Sequence, residues 1–158
     1  MNTKVGLGQD SHAFESNIEK PLILGGVIFE HPKGLKGNSD ADVVLHSLTN
    51  AISSITGKNI LGSIADELCK DGIKDSSEYL KLALEDLNDY TINHIAISIE
   101  CLTPKISPYI ESIKNNIAKL ANILPTDIGI TATSGEGLTD FGKGKGIQVL
   151  TIITVSKE

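Results

Sequence analysis

The last strand that the sequence predicts, residues 147–155, is apolar on both of its faces. Successive side chains of a strand point to opposite sides of a sheet, so this segment presents two rows of side chains. One row consists of Ile147, Val149, Thr151, Ile153 and Val155, and the other of Leu150, Ile152 and Thr154. Because both rows are too apolar to face water, we expect this strand to lie in a sheet that is covered on both faces.

The helices predicted for the rest of the chain can cover only one face of that sheet. In chain order the predicted elements are a strand at 5–8, a hairpin at 22–29, a helix from its N-cap Ser39 to Gly57, a helix opening at Ser76 or Ser77, a strand at 92–102, a helix starting at Pro108, and strands at 128–133 and 147–155. Residues 62–75 give no clear pattern. We predict an α+β fold, a mixed sheet with helices packed on one face and the other face buried between subunits.

Composition and charge limit the function classes. The 158 residues, 40% hydrophobic and 22% charged, fit one domain over residues 1–158. A formal net charge of −6 argues against nucleic acid as a partner, since phosphate contacts need a basic surface. Cys69 and Cys101 form no CxxC pair, the first residues lack an apolar leader, and no apolar run could span a membrane. We therefore expect a cytoplasmic protein without a membrane partner.

Three residues have the side chains that zinc prefers. Asp10 and His12 are two positions apart, and on a strand both point to the same face. His46 lies on the predicted helix, with Asp42 four residues earlier as a further ligand or as a carboxylate that orients His46. Three ligands suit a catalytic zinc site, whose fourth position is kept for substrate. Taken singly, Asp10 with His12 is better explained as a surface turn and His46 as a half-buried helix histidine, and spacing alone leaves the trio evenly balanced between these structural roles and a metal site.

A glycine-rich segment, residues 135–146, is the second candidate site. Its glycines let backbone N–H groups approach an anion, and Lys143 and Lys145 add positive charge. Glu136 is a candidate oxygen ligand for a hard cation such as Mg²⁺. A flexible hairpin loop explains the same pattern. The connection around Lys105, stiffened by two prolines, could hold a base edge or be an ordinary link between a strand and a helix.

Together these segments resemble the 2-C-methyl-D-erythritol 2,4-cyclodiphosphate synthase family. The matching segments are Asp10-Ser11-His12-Ala13-Phe14, Ile23-Leu24-Gly25-Gly26-Val27, Ser39-Asp40-Ala41-Asp42 with His46, Pro104-Lys105, and Ala132-Thr133-Ser134-Gly135-Glu136 with its glycine-rich tail. They span essentially the whole chain in the family's order and spacing. Agreement of five separated motifs is far more specific than any one of them.

The resemblance implies an assembly and a reaction. The assembly is a homotrimer whose sheets face the threefold axis and whose active sites lie between adjacent subunits. The reaction, that of a phosphorus–oxygen lyase, converts 4-diphosphocytidyl-2-C-methyl-D-erythritol 2-phosphate to the 2,4-cyclodiphosphate and CMP. It is a step of the methylerythritol phosphate route to isoprenoids, and the expected partner is therefore a phosphorylated small molecule with a cytidine diphosphate group.

The resemblance also implies residue roles. Asp10, His12 and His46 would bind one zinc ion per subunit, and Glu136 would bind a magnesium or manganese ion together with the substrate. Asn38 and Ser134 are the implied catalytic residues. The implied substrate-binding residues are Asp10, Ser11, His12, Asn38, Ser39, Gly62, Cys101, Leu102, Thr103, Pro104, Lys105, Ile106, Ser107, Thr133, Ser134, Gly135, Glu136, Phe141 and Lys143.

Two departures from the family pattern keep other functions open. Asn38 stands where the family usually has a histidine, and an amide cannot carry that charge. Ile60 replaces an aspartate expected on the methylerythritol hydroxyls, and Asp66 or Glu67 could supply the acid of the divergent segment that follows. One alternative is a non-catalytic trimer that binds cytidine nucleotide or isoprenoid diphosphate. Another is a zinc phosphohydrolase that uses water as its nucleophile.

Overall fold

The computed structural model describes residues 1–158 and contains six strands and four helices. The strands are β1 (Asn2–Ala13), β2 (Leu22–Leu24), β3 (Val27–Phe29), β4 (Thr91–Glu100), β5 (Ile128–Thr133) and β6 (Gly146–Lys157). The helices are α1 (Val43–Thr56), α2 (Ser63–Lys70), α3 (Ser76–Glu85) and α4 (Ile110–Ala121). This mixture confirms the predicted α+β class. None of the four helices has the length and apolar character needed to cross a membrane.

Four strands form a mixed sheet in the order β1-β6-β4-β5, and β2 and β3 form a separate hairpin. β6 is antiparallel to both of its neighbours, whereas β4 and β5 are parallel and are joined through α4. The strands β1, β4 and β5 therefore all run in the same direction. Their carboxyl ends meet at one end of the sheet, with β1 and β5 at its two edges.

Two glycines of β1 allow α1 to pack directly against the strand. A Cβ atom at Gly8 would overlap the carbonyl oxygen of Ser47 and the backbone nitrogen of Ala51. A Cβ atom at Gly6 would overlap the carbonyl oxygen of Ala51. Any larger residue would push the helix away. This close approach fixes the position of α1 relative to the end of β1.

The two faces of the sheet differ as the pattern of β6 predicts. Ile147, Val149, Thr151, Ile153 and Val155 are fully buried beneath the helices. On the other face, Leu7 of β1 is 61% exposed and its paired residue on β6, Ile152, is 45% exposed. Val5 and Leu150 are also exposed there. A row of large apolar side chains on adjacent strands is the kind of surface that subunit contacts cover.

Two helix predictions need correction, and one helix was not predicted. α1 begins at Val43 with Asp42 as its N-cap, not at Ser39, because Ala41 adopts a left-handed backbone (φ 56°) that turns the chain between them. The third predicted helix starts at Ile110, after a short 3₁₀ turn at Ser107–Tyr109, and not at Pro108. Helix α2 lies in the segment that gave no pattern.

Candidate active site

β1 and α1 bring three candidate metal ligands together. Asp10 and His12 project from the same face of β1, and His46 lies near the start of α1. The Oδ2 atom of Asp10 is 3.0 Å from His12 Nε2 and 3.1 Å from His46 Nδ1. The three ligand atoms lie within 4.8 Å of one another. These three residues form the metal cluster.

The charges of the metal cluster stabilise one another. Burial alone would raise the pKa of Asp10, but its close contacts with His12 and His46 and their attraction outweigh burial and lower the pKa to about 2. The short contact with Asp10 outweighs burial at His12 and raises the pKa of its imidazole. Asp10 is therefore ionised near neutral pH, as a metal ligand must be.

The donor set of the metal cluster fits zinc. One carboxylate oxygen and two imidazole nitrogens are ordinary zinc ligands. The Nε2 atom of His12 is buried and makes no well-directed hydrogen bond, although Asp10 Oδ2 is 3.0 Å away. A buried nitrogen without a partner is costly unless something binds it. A cation held between the three side chains would satisfy it.

A cavity of about 270 Å³ opens beside the metal cluster. Its lining includes Asn38, Ser39 and Gly62, which the sequence predicts to bind substrate. Of the two candidates for the acid of the divergent segment after Ile60, Asp66 lines this cavity and Glu67 does not. Ser11 points to the other side of β1 and does not line the cavity. The lining residues that sequence reasoning missed are Gly37, Asn50, Leu61, Ala65, Cys69 and Tyr79.

Of the two acids before α1, Asp42 caps the helix and Asp40 contacts a partner of His46. Asp42 is fully buried, and its carboxylate accepts hydrogen bonds from the backbone nitrogens of Gly25, Gly26 and Leu45. It caps α1 and holds the β2–β3 turn, so it neither binds metal nor orients His46. Asp40 instead contacts the hydroxyl of Ser76, whose Oγ lies 2.8 Å from His46 Nε2. Ser76 was not a predicted site residue.

The remaining predicted residues form a loop cluster, which consists of residues 101–107 after β4 and residues 133–145 between β5 and β6. Backbone hydrogen bonds join its two loops, from Cys101 N to Thr133 O (3.1 Å) and from Leu102 N to Phe141 O (3.0 Å). Thr103 and Pro104 are joined by a cis peptide bond. The side chains with predicted roles in binding are mostly exposed, including Thr103, Lys105, Ser107, Thr133, Ser134, Glu136 and Lys143.

Within one chain the metal cluster and the loop cluster stay apart. Both lie at the carboxyl ends of parallel-running strands, but β1 and β5 are opposite edges of the sheet. Three strand spacings separate those edges, which is about 14 Å. No residue of the loop cluster lines the cavity beside His46. A single chain therefore keeps the metal cluster and the loop cluster separate.

This fold and ligand set agree with comparisons to known proteins. A family model described as the YgbB family matches residues 3–156. The chain belongs to the YgbB family. Curated YgbB-family relatives include the 2-C-methyl-D-erythritol 2,4-cyclodiphosphate synthase of Chlamydia caviae, 50% identical over 157 residues, or 98% of this chain and 89% of that protein. The same enzyme of Chlamydia muridarum is 49% identical over 155 residues, or 96% and 87%. The resemblance read from the sequence is confirmed.

Solved structures of YgbB-family proteins share the fold. The bifunctional IspDF of Campylobacter jejuni superposes with a TM-score of 0.86 at 31% identity. That match covers 99% of this chain but only 43% of the Campylobacter chain, so our chain corresponds to one part of it. IspF of Plasmodium falciparum, in a complex with CDP, superposes with a TM-score of 0.84 at 26% identity, covering 99% and 97% of the two chains.

Proposed function

We propose that this chain is an enzyme that converts 4-diphosphocytidyl-2-C-methyl-D-erythritol 2-phosphate to 2-C-methyl-D-erythritol 2,4-cyclodiphosphate and CMP. The observation that carries the proposal is the Asp10–His12–His46 cluster on a YgbB fold, at 50% identity to a relative with that name. The enzyme is a phosphorus–oxygen lyase of the methylerythritol phosphate route to isoprenoids. Its two free cysteines suit a reducing compartment, and we place it in the cytoplasm.

The reaction is an internal phosphoryl transfer. An oxygen of the substrate's 2-phosphate attacks the β-phosphorus of its own diphosphate, and a new P–O bond forms. The bond from that phosphorus to the bridging oxygen breaks, and CMP leaves with the electron pair. Such a step needs in-line positioning and neutralisation of charge more than a protein nucleophile. The cavity beside the metal cluster has the polar lining for that task.

Two cation sites follow from the residues present. Asp10, His12 and His46 would hold zinc, and the exposed carboxylate of Glu136 would hold magnesium or manganese together with the diphosphate. When bound, these ions supply positive charge that polarises the diphosphate. The ionised Asp10 keeps the metal cluster ready for a cation, since no proton must first leave its carboxylate.

Polar groups on the cavity wall and in the loop cluster position the substrate. Asn38 and Ser39 would donate hydrogen bonds to phosphate oxygens, and Gly62 lets the methylerythritol approach the backbone. The hydroxyls of Thr133 and Ser134 would support the transferring phosphoryl group. The loop at residues 101–107 would hold the cytosine, with Lys105 and Lys143 near the phosphates and Phe141 beside them.

We propose a homotrimer, because it explains two observations at once. The exposed apolar face around Leu7 and Ile152 would be buried at the threefold axis. The loop cluster on the β5 edge of one subunit would meet the metal cluster on the β1 edge of its neighbour. Each active site then contains one half from each of two subunits.

One assay tests the function. Purified full-length protein is loaded with zinc, supplied with Mg²⁺ and the 2-phosphorylated substrate, and followed by ³¹P NMR. We expect the cyclic diphosphate and CMP in equal amounts. Tight CMP binding without turnover would instead identify the non-catalytic binder, which Asn38 and Ile60 favour. A linear phosphate product, formed when water attacks in place of the 2-phosphate, would identify a hydrolase.

A further inference from the structure

A serine and an aspartate form a chain of contacts behind the metal cluster. Ser76 is the first residue of α3 and is fully buried. Its Oγ atom lies 2.8 Å from His46 Nε2, the ring nitrogen that faces away from Asp10. The same hydroxyl donates a short hydrogen bond to Asp40 Oδ1, and the backbone nitrogen of Ser76 donates to Asp40 Oδ2 at 3.1 Å.

The hydrogens available to these groups determine which ring nitrogen carries a proton. A carboxylate has only acceptors, and a serine hydroxyl has a single hydrogen. The short contact between Asp40 and Ser76 requires that this hydrogen lie between their two oxygens. Ser76 therefore presents only lone pairs to His46, and Nε2 must supply the hydrogen of the 2.8 Å bond. Reversing the bond would leave two unshared oxygens in close contact.

We propose that Ser76 and Asp40 are positioning residues that hold His46 through a hydrogen on Nε2. This leaves Nδ1, which lies 3.1 Å from Asp10 Oδ2, as the nitrogen that binds a cation. The inference rests on the proposed function in one respect, namely that this cation is zinc. A histidine binds zinc through an unprotonated nitrogen, and partners of its other nitrogen set that choice. Loss of such partners typically weakens metal affinity about 10- to 100-fold.

The surrounding backbone keeps this pair in place. The backbone nitrogen of Asp40 donates to Lys74 O at 2.9 Å, which ties the segment before α1 to the start of α3. Asp40 Oδ1 also accepts from the backbone nitrogen of Asp42 at 3.1 Å. The carboxylate of Asp40 is thus fixed by local turns and cannot rotate away from Ser76. The two ring nitrogens of His46 are thus contacted from β1, through Asp10, and from α3, through Ser76.

The test compares Ser76→Ala with its matched control, Ser77→Ala, in the full-length protein. Long-range ¹H–¹⁵N correlation spectra of the zinc-loaded protein report the hydrogen on His46 Nε2 and how fast it exchanges with water. Zinc affinity is measured by competition with a chromophoric chelator. We expect a slowly exchanging Nε2 hydrogen in the wild type and in Ser77→Ala. Ser76→Ala should show a faster-exchanging Nε2 hydrogen and zinc binding weaker by about 10- to 100-fold.

A second variant keeps the serine and removes only the group that orients its hydroxyl. In Asp40→Ala the hydroxyl hydrogen of Ser76 is free to turn toward His46 Nε2 and compete with the hydrogen there, so we expect zinc binding to weaken although Ser76 is still present. Thermal melts check that each variant is folded. A rapidly exchanging Nε2 hydrogen in the zinc-loaded wild type, or wild-type exchange and zinc affinity in folded Ser76→Ala, would overturn the inference.

The outcomes also separate this inference from the proposed function. If the wild type binds zinc and shows the slowly exchanging Nε2 hydrogen but forms no cyclic product, the proposed function fails while the positioning role of Ser76 stands. If the wild type turns over and Ser76→Ala matches it in Nε2 exchange and zinc affinity, the positioning role fails and the function stands. A wild type that binds no zinc would overturn both.

Discussion

The metal cluster and the loop cluster are built in different ways. Asp10, His12 and His46 sit on a long strand and a buried helix, and Ser76 supports them from a third element. In the loop cluster the main-chain hydrogen bonds fix the loops, while Glu136 and Lys105 remain exposed. One chain therefore preorganises the cation ligands. The side chains proposed to bind the nucleotide and the second cation are exposed and are not held in place within one chain.

The largest expected effect comes from the metal cluster. His46→Ala removes a ligand that contributes several kcal/mol of charge stabilisation through the ion, so we expect turnover to fall by about 10³-fold or more. The zinc content, measured by mass spectrometry, should fall well below one ion per subunit. The control is His94→Ala, because His94 lies on β4 outside the cavity. A zinc-free His46→Ala protein with full activity would contradict the metal assignment.

The apolar face of the sheet should give the next largest effect. Ile152→Glu places a carboxylate where the proposed trimer buries an apolar side chain, at a cost of several kcal/mol. Sedimentation should then show monomers, and activity should fall by about 100-fold, because neither half of a site has its partner. Folding within the chain should change by only about 0.5 kcal/mol, since Ile152 is already exposed there.

The matched control for this test is Ile28→Glu, on an exposed isoleucine of β3 that is not part of the sheet face. It should leave both the assembly state and the activity unchanged. A trimeric Ile152→Glu protein with normal turnover would show that this face is not the subunit contact.

A loop-cluster variant should separate activity from metal content. Glu136→Gln keeps the shape of the side chain but removes its charge, and a loss of about 2 kcal/mol of cation stabilisation lowers turnover by about 30-fold. Stability and zinc content should match the wild type, because Glu136 is exposed and belongs to neither the core nor the metal cluster. If zinc content falls with activity, the two clusters are not independent. Glu111→Gln on α4 is the surface control.

Sequence patterns predicted the features that follow from the regular spacing of residues along a strand. The alternation along β6 correctly divided its side chains between the two faces of the sheet. The two-residue spacing of Asp10 and His12 placed both on one face of β1. The N-cap at Ser39 was wrong, because the chain turns at Ala41 with a left-handed backbone, and its neighbours Asp40 and Asp42 bond to residues far away in the sequence. Ser76 was missed because it lies 30 positions from His46, and no local pattern marks such a pair.

The smallest expected effect concerns Asn38, a wall residue that departs from the family pattern. Asn38 lines the cavity beside the metal cluster and offers a neutral amide to the substrate. Asn38→His would offer a group that can carry a positive charge. Hydrogen bonds that involve a charge are stronger by about 1 kcal/mol, which corresponds to a rise in kcat of about 5-fold.

The kinetic signature distinguishes charge from packing. A group that acts on charge developing in the transition state should raise kcat and leave KM nearly unchanged, and the gain should disappear at alkaline pH as the new imidazole loses its proton. Asn38→Gln is the control, since it changes the length of the side chain without adding charge. If Asn38→His only lowers activity, the neutral amide is already the group that this cavity requires. The positive charge for the transition state would then come from the cations proposed for the two clusters.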